Sequence, residues 1–279
     1  MAIQKINYNG KLLPTNTPLF TAQNRAFNYG DGIFETLRII NGKIPFLDYY
    51  FNRLKSGLDV LQMTSNNSFT KTSFHSEILK LTSKKNCRVR FTAFRKDGGL
   101  YTPQSDEMQF LITAKKLQQE SYKLPKKGVN VELFKDTKLV YNNLSPLKST
   151  NSLPYVLAAK YKSIIAADDV LMINNQGRIA EGNSSNLFIW NGKHLLTPRL
   201  KEACVAGVIR AVLIDKAKNL GFKIKEGKIT IKKLKNAEAV FLTNSIQGVK
   251  WVRHFQEKKY KTRPAKKIGK ALLEILQKT

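Results

Sequence analysis

Apolar and polar positions change period several times along the chain, and each change marks an expected element. Residues 3–8 and 11–13 flank Asn9-Gly10, a pair suited to the tight turn of a β-hairpin. A polar stretch and a glycine-bearing loop, residues 28–32, lead into a strand over 33–40 that ends at a second Asn-Gly turn, Asn41-Gly42. Asp48 can cap a helix whose Tyr50, Leu54, Leu58 and Leu61 keep helical spacing, and a second helix is expected over 74–81. Residues 87–93 alternate polar with apolar as a half-buried strand does, Asp97-Gly98-Gly99 breaks the pattern, and 108–114 is a further strand.

From 118 to 128 the chain is polar, contains Pro125 and reads as a connection. The expected division is an N-terminal domain over 1–120, a linker over 121–128 and a C-terminal domain over 129–279. A strand over 129–134 precedes Asn142-Asn143-Leu144-Ser145-Pro146-Leu147-Lys148. A helix then starts at Ser152 and Pro154, with Val156, Leu157, Tyr161, Ile164 and Ile165 as its expected apolar face. Strands follow over 170–173, 178–181 and 187–190, with Asn191-Gly192 starting a hairpin return. Gly207 precedes a helix with Val208 and Val212 inward that stops near Asn219-Leu220-Gly221. Residues 239–242 form a buried strand delivering Thr243-Asn244-Ser245. Strands and helices in irregular order, without steady strand-helix alternation, predict an α+β fold.

Composition narrows the class. With 279 residues and 42% hydrophobic content, the chain can bury one large core or two modest ones. Cys87 and Cys204 lie far apart with no CxxC partner, and His75, His194 and His254 are isolated, so no disulfide framework or metal site is expected. No apolar run reaches the roughly 18 residues of a membrane span, which makes a cytoplasmic protein without a membrane partner the expectation. The formal net charge of +28 raises nucleic acid as a partner, yet the lysines are scattered, and the densest stretches, 223–235 and 258–270, alternate with apolar residues as solvated faces do. No nucleic-acid partner is therefore expected, and a catalytically inactive basic binding protein is the remote reading. A GxSxG elbow and a GxxxxGK[ST] loop are absent, and Gly30-Asp31-Gly32 lacks the third glycine of a dinucleotide fingerprint.

Four separated segments rise above this background: Asn24 to Arg38 (with Phe27-Asn28-Tyr29-Gly30-Asp31-Gly32 and Phe34-Glu35-Thr36) followed by Arg53; Leu147-Lys148-Ser149-Thr150-Asn151; Ala180-Glu181-Gly182-Asn183-Ser184-Ser185-Asn186-Leu187-Phe188; and Thr197-Pro198-Arg199-Leu200 followed by Val205-Ala206-Gly207-Val208-Ile209-Arg210. In this order they resemble the class IV, fold-type IV, pyridoxal-phosphate-dependent aminotransferases and lyases. The resemblance implies a two-domain α+β fold like that of D-amino-acid aminotransferases, a homodimer, a small-molecule amine substrate, and pyridoxal 5'-phosphate at the domain interface. It implies that Lys148, in the C-terminal domain, is the catalytic residue and carries the cofactor. Glu181 would keep the pyridine nitrogen protonated, so that the ring can take up electrons. Arg53 would supply fixed charge to the phosphate, the helix start at Val208 and Ile209 oriented amides, and Ser245 a hydroxyl. Val205 would pack on the ring.

Departures from the family patterns bear on the substrate. Branched-chain aminotransferases have a tyrosine where this chain has Leu153. D-amino-acid aminotransferases have a tyrosine at Phe34, a threonine at Ile209, and an Arg and His two apart in the loop that here reads Arg95-Lys96-Asp97-Gly98-Gly99-Leu100-Tyr101. Together with Asn244 before Ser245, these differences place the chain nearer the lyase branch that forms 4-aminobenzoate, with Phe34, Thr36 and Tyr101 as substrate contacts. An aminotransferase of branched-chain or D-amino acids is the alternative.

Overall fold

The computed structural model describes residues 3–82, 86–217 and 223–277. Contacts divide the chain into two units, Met1–Ser121 with Leu147–Asn151, and Tyr122–Pro146 with Ser152–Thr279.

The first unit contains β1 (Lys5–Tyr8), β2 (Lys11–Pro14), α1 (Arg25–Tyr29), β3 (Gly32–Ile39), α2 (Leu47–Val60), α3 (Lys71–Thr82), β4 (Cys87–Arg95) and β5 (Met108–Lys116). Its sheet runs β2-β1-β5-β4-β3. The alternation of β3 and β4 sends Ile33, Leu37, Val89, Phe91 and Ala93 to a buried face. There Phe91 meets Phe74 of α3 with ring centroids 4.9 Å apart. Each such fully buried ring stabilises the unit by about 1.5–3 kcal/mol. The opposite face carries Phe34 and Thr36, which pair with Thr92 and Arg90.

Two local features differ from the sequence reading. The stretch before β3 is not all loop: Asn24 accepts a hydrogen bond from the Phe27 amide and starts α1, and Gly30, at φ 66°, ends it. Asp48 does not cap α2, whose N-cap is Phe46 at φ 63° without a side-chain cap bond. Phe46 is buried, so a core side chain rather than a polar cap sets the helix entry, and Asp48 instead binds Lys71.

The second unit contains β6 (Val129–Leu139), α4 (Leu153–Ile164), β7 (Asp169–Asn174), β8 (Ile179–Gly182), β9 (Asn186–Trp190), β10 (Leu195–Pro198), α5 (Val208–Lys216), β11 (Ile224–Gly227), α6 (Ile231–Lys235), β12 (Ala239–Asn244), β13 (Gly248–Phe255), β14 (Lys258–Lys259) and α7 (Thr262–Gln277). The strands follow the order β11-β10-β9-β12-β13-β6-β7-β8, with β14 on β13. Leu171, Leu187, Val240, Leu242 and Val252 lie in one of its buried clusters. The expected end of α5 near Asn219 to Gly221 lies outside the described residues.

The boundary between units departs from the expected one in two places. Tyr122 is buried and donates its hydroxyl to the Ser245 carbonyl, while Trp251 donates to the Pro125 carbonyl, so the expected linker is packed into the second unit. Leu147–Asn151, by contrast, belongs to the first unit. Lys148 is thus carried by a segment of the C-terminal half that is laid along the edge strand β3. The apolar face expected of α4 also differs: Val156, Leu157 and Ile164 are 57%, 52% and 71% exposed, whereas Ala158 is buried. Tyr155 and Tyr161 pack with Ala158 against Phe134 and Met172, so the tyrosines and the small residue, not the aliphatic stripe, form the inner face.

Candidate active site

In the first unit, the segment holding Lys148 adds to the edge of β3 by backbone bonds. Phe34 N donates to Lys148 O at 2.8 Å, and Thr150 N donates to Gly32 O at 2.9 Å. The Thr150 hydroxyl donates to Gly30 O at 2.7 Å. These bonds pin the lysine's main chain beside a small pocket lined by Phe34, Glu35, Arg53, Leu147 and Lys148. The Lys148 ammonium lies 4.6 Å from the Phe34 ring centroid, and the Arg90 guanidinium 3.5 Å from the same centroid.

Arg53 reaches the pocket from α2. It forms a bidentate pair with Glu35 of β3, Nε to Oε1 at 2.7 Å and Nη2 to Oε2. Burial works against the charge on Arg53, but the attraction and hydrogen bond of Glu35 outweigh it and hold the guanidinium above its usual pKa. Where α2 faces β3, a Cβ at Gly57 would come within 2.6 Å of the tip of Ile33, its Cδ1.

In the second unit, Glu181 at the end of β8 is buried and accepts from neutral donors. The Tyr155 hydroxyl and the Val205 amide meet Oε1 at 2.6 Å and 3.2 Å, and Asn186 Nδ2 meets Oε2 at 3.2 Å. Asn186 Nδ2 also donates to Val205 O at 2.9 Å, tying the turn before α5 to the same carboxylate. Burial and the Glu181 charge push the Tyr155 phenol well above its ordinary pKa, so it is a donor at every physiological pH. Burial, followed by Glu181, pushes the Cys204 thiol up to about 12, leaving it protonated.

Gly207 is the N-cap of α5, and no side chain caps that helix. The first-turn amides at Val208 and Ile209 are therefore the kind of donors that receive an anion. The buried Thr243 hydroxyl at the end of β12 has no hydrogen-bond partner among the described residues. Ser245 follows two residues on, and Asn244 spends its side-chain oxygen on the amides of Ile246 and Gln247, shaping the turn.

The expected residues thus fall into two groups, each inside one unit: Lys148, Arg53, Phe34 and Thr36 in the first, and Glu181, Val205, Val208, Ile209 and Ser245 in the second. Tyr101 stands apart from the Lys148 pocket lining; its side chain is 89% exposed and its ring lies 5.5 Å from that of Tyr29. Three residues escaped sequence reasoning: Glu35, Arg90 and Tyr155. Register could have exposed Arg90, because it faces Thr36 across an alternating pair of strands.

The family model for amino-transferase class IV matches residues 32–255. The aminodeoxychorismate lyase of Bacillus subtilis is 28% identical over 246 residues, covering 86% of this chain and 83% of the relative. The D-alanine aminotransferase of Bacillus licheniformis is 24% identical over 268 residues, covering 88% and 86%. The crystal structure of the branched-chain aminotransferase of Thermoproteus uzoniensis with norvaline superposes with a TM-score of 0.87 at 20% identity, covering 100% of this chain and 94% of that one. The chain belongs to the class IV aminotransferase family, whose enzymes depend on pyridoxal phosphate and have the two-domain α+β fold of fold type IV.

The donor set fits that cofactor. An uncapped helix start and an orphaned buried hydroxyl suit a phosphate, and a buried carboxylate ringed by neutral donors suits a protonated ring nitrogen. Among the described residues no cluster of His, Cys, Asp or Glu could hold a metal, and no helix is long and apolar enough to cross a membrane.

Proposed function

We propose that this chain is a 4-amino-4-deoxychorismate lyase, forming 4-aminobenzoate and pyruvate for folate biosynthesis. The observation that carries the reading is the Arg90 guanidinium over Phe34, 3.5 Å from the centroid of a ring that Lys148 approaches to 4.6 Å. That ring bears no hydroxyl, and the Arg90 cation beside the lysine suits a substrate with a carboxylate close to its amine. Aminodeoxychorismate carries two. The similarity to the Bacillus subtilis lyase supports the same assignment.

Bound pyridoxal phosphate supplies an electron sink for the carbon that bears the substrate nitrogen. Lys148 would hold the cofactor, and its Nζ, as a free amine, would take the proton from that carbon. Loss of the enolpyruvyl group from the neighbouring ring carbon, with its C–O bond electrons, leaves an aromatic ring, and the departing enol takes a proton at its methylene to become pyruvate. Arg53, its plane set by Glu35, would meet the phosphate together with Val208, Ile209 and Ser245. Glu181 would hold the ring nitrogen, Val205 would pack on the ring, and Arg90, Thr36 and Tyr101 would contact substrate. The exposed aliphatic residues of α4 support a homodimer in which that stripe is covered.

The test is pyruvate release from aminodeoxychorismate by purified protein with no keto acid added, abolished in Lys148→Ala. Strict dependence on a keto-acid acceptor would instead assign an aminotransferase, the reading favoured by the Bacillus licheniformis relative.

A further inference from the structure

The bond between Tyr155 and Glu181 has no counterpart in the motif residues, because Tyr155 lies outside all four. It joins the inner face of α4 to the end of β8 at 2.6 Å, between a half-buried phenol and a buried carboxylate. Neither partner is a surface group with water as an alternative, so the bond bears directly on which form Glu181 adopts.

A carboxylate facing a pyridine nitrogen shares one proton with it. In a site of low dielectric, the neutral pair, carboxylic acid with pyridine, competes well against the ion pair, carboxylate with pyridinium. Hydrogen bonds donated to the carboxylate stabilise its anion and lower its basicity, which moves the proton to the ring. Tyr155 donates one such bond to Glu181 at 2.6 Å, shorter than those from Asn186 and the Val205 amide at 3.2 Å. Tyr155 is well suited to this, since a phenol that does not ionise can only donate here. Glu181 and Cys204 act on Tyr155, and Glu181, Arg210 and Glu226 act on Cys204, whose thiol stays protonated.

We propose that Tyr155 is a positioning residue that keeps Glu181 anionic and so keeps the proton on the cofactor's ring nitrogen. The inference rests on the reading of Glu181 as that nitrogen's partner.

The experiment is nitrogen-15 NMR of holoenzyme loaded with ring-labelled pyridoxal phosphate, titrated between about pH 6 and 9, the span around the ordinary histidine range where ring nitrogens exchange protons. The parent is expected to show a pyridinium throughout. Tyr155→Phe is expected to release the ring proton within that span and to lower kcat about tenfold to a hundredfold, the worth of one hydrogen bond to a charged group, with little change in KM. Unchanged nitrogen titration and unchanged kcat in Tyr155→Phe would overturn the proposal. Glu181→Gln separates the two readings: if it leaves the nitrogen protonated, Glu181 is not the partner, whereas loss of the proton there but not in Tyr155→Phe removes Tyr155 alone. Should Tyr155→Phe fail to fold, 3-fluorotyrosine placed at position 155 keeps the ring and strengthens the donor. It is expected to make the ring proton harder to remove, and an unmoved titration overturns the proposal.

Discussion

Arg90 stacks on Phe34, its Cζ 3.5 Å from the ring centroid, while its Nε donates to the Thr92 hydroxyl at 3.2 Å. Burial, then the neighbouring Arg88, lowers the Arg90 pKa, and no carboxylate among the described residues offsets this. A half-buried cation without an acid is placed to receive one. Arg90→Met is expected to raise KM for a carboxylate-bearing substrate by about tenfold to a hundredfold, as expected for a lost charge-assisted bond, with a smaller effect on kcat. Steady-state kinetics on the variant check this, and Arg90→Lys should recover part of the loss because it keeps charge but not the planar fork.

Glu35 and Arg53 form a pair whose side chains are 2% and 14% exposed. Removing one charge leaves the other buried without it, which costs about 3–5 kcal/mol in such sites. Glu35→Gln is therefore expected to lower the melting temperature of the cofactor-free protein by roughly 6–20 °C. Added pyridoxal phosphate should restore more stability to Glu35→Gln than to the parent, since the phosphate supplies the missing anion. Differential scanning calorimetry with and without cofactor measures both effects.

How far these pairs could be foreseen depends on what local sequence encodes. The Lys148, Glu181 and Gly207 segments stood out in the sequence through their resemblance to a family pattern, which periodicity alone does not supply. The β3 and β4 strands were legible from alternation, but alternation alone does not say which of several arginines stacks on which ring. The aliphatic stripe of α4 misled because periodicity reports that a face is apolar, not what covers it. Asp48 misled for a related reason: a good capping residue lost to Phe46, whose burial in the core sets the start of α2. The polar, proline-bearing run before β6 hid Tyr122, a buried anchor among mostly polar neighbours.

Leu157 and Ile164 of α4 are 52% and 71% exposed, large apolar areas for an isolated helix face. Substituting Leu157→Glu and Ile164→Glu together is expected to convert the proposed homodimer into a monomer while leaving the inner face, Tyr155, Ala158 and Tyr161, intact. Sedimentation velocity at micromolar concentration reads the outcome. A parent protein that already sediments as a monomer would remove the dimer from the proposal.

Alkaline pH should weaken the fold through Cys204. Its thiol is raised from an ordinary 9.0 to about 12 by burial and then by Glu181. The folded state therefore holds a proton that the unfolded chain gives up, so the contribution is complete below pH 9 and declines as pH rises from there towards 12. Tyr155, raised by the same causes, adds to the decline above its ordinary value of 10.0. Melting temperature measured from pH 8 upward should fall, and fall less steeply in Cys204→Ala. The same burial predicts that neither cysteine of the folded protein reacts with iodoacetamide at neutral pH.

Two glycines make close contacts that differ in kind, and the difference predicts opposite outcomes. A Cβ at Gly57 would meet the tip of Ile33 at 2.6 Å, the end of a flexible side chain that can rotate aside. In mid-helix, alanine also gains up to about 1 kcal/mol in propensity over glycine, so Gly57→Ala should fold with near-parent stability. At Gly207 a Cβ would come within 1.8 Å of Asn186 Oδ1. That side chain cannot swing away without loss, because its Nδ2 holds both Glu181 and the Val205 carbonyl. The clash must instead displace the start of α5, whose amides at Val208 and Ile209 would hold the phosphate. Gly207→Ala is therefore expected to fold but to bind pyridoxal phosphate at least about tenfold more weakly, the loss of a single well-placed bond to a charged group. Fluorescence titration of the cofactor-free protein gives the Kd, and unaltered binding by Gly207→Ala would remove α5 from the phosphate site.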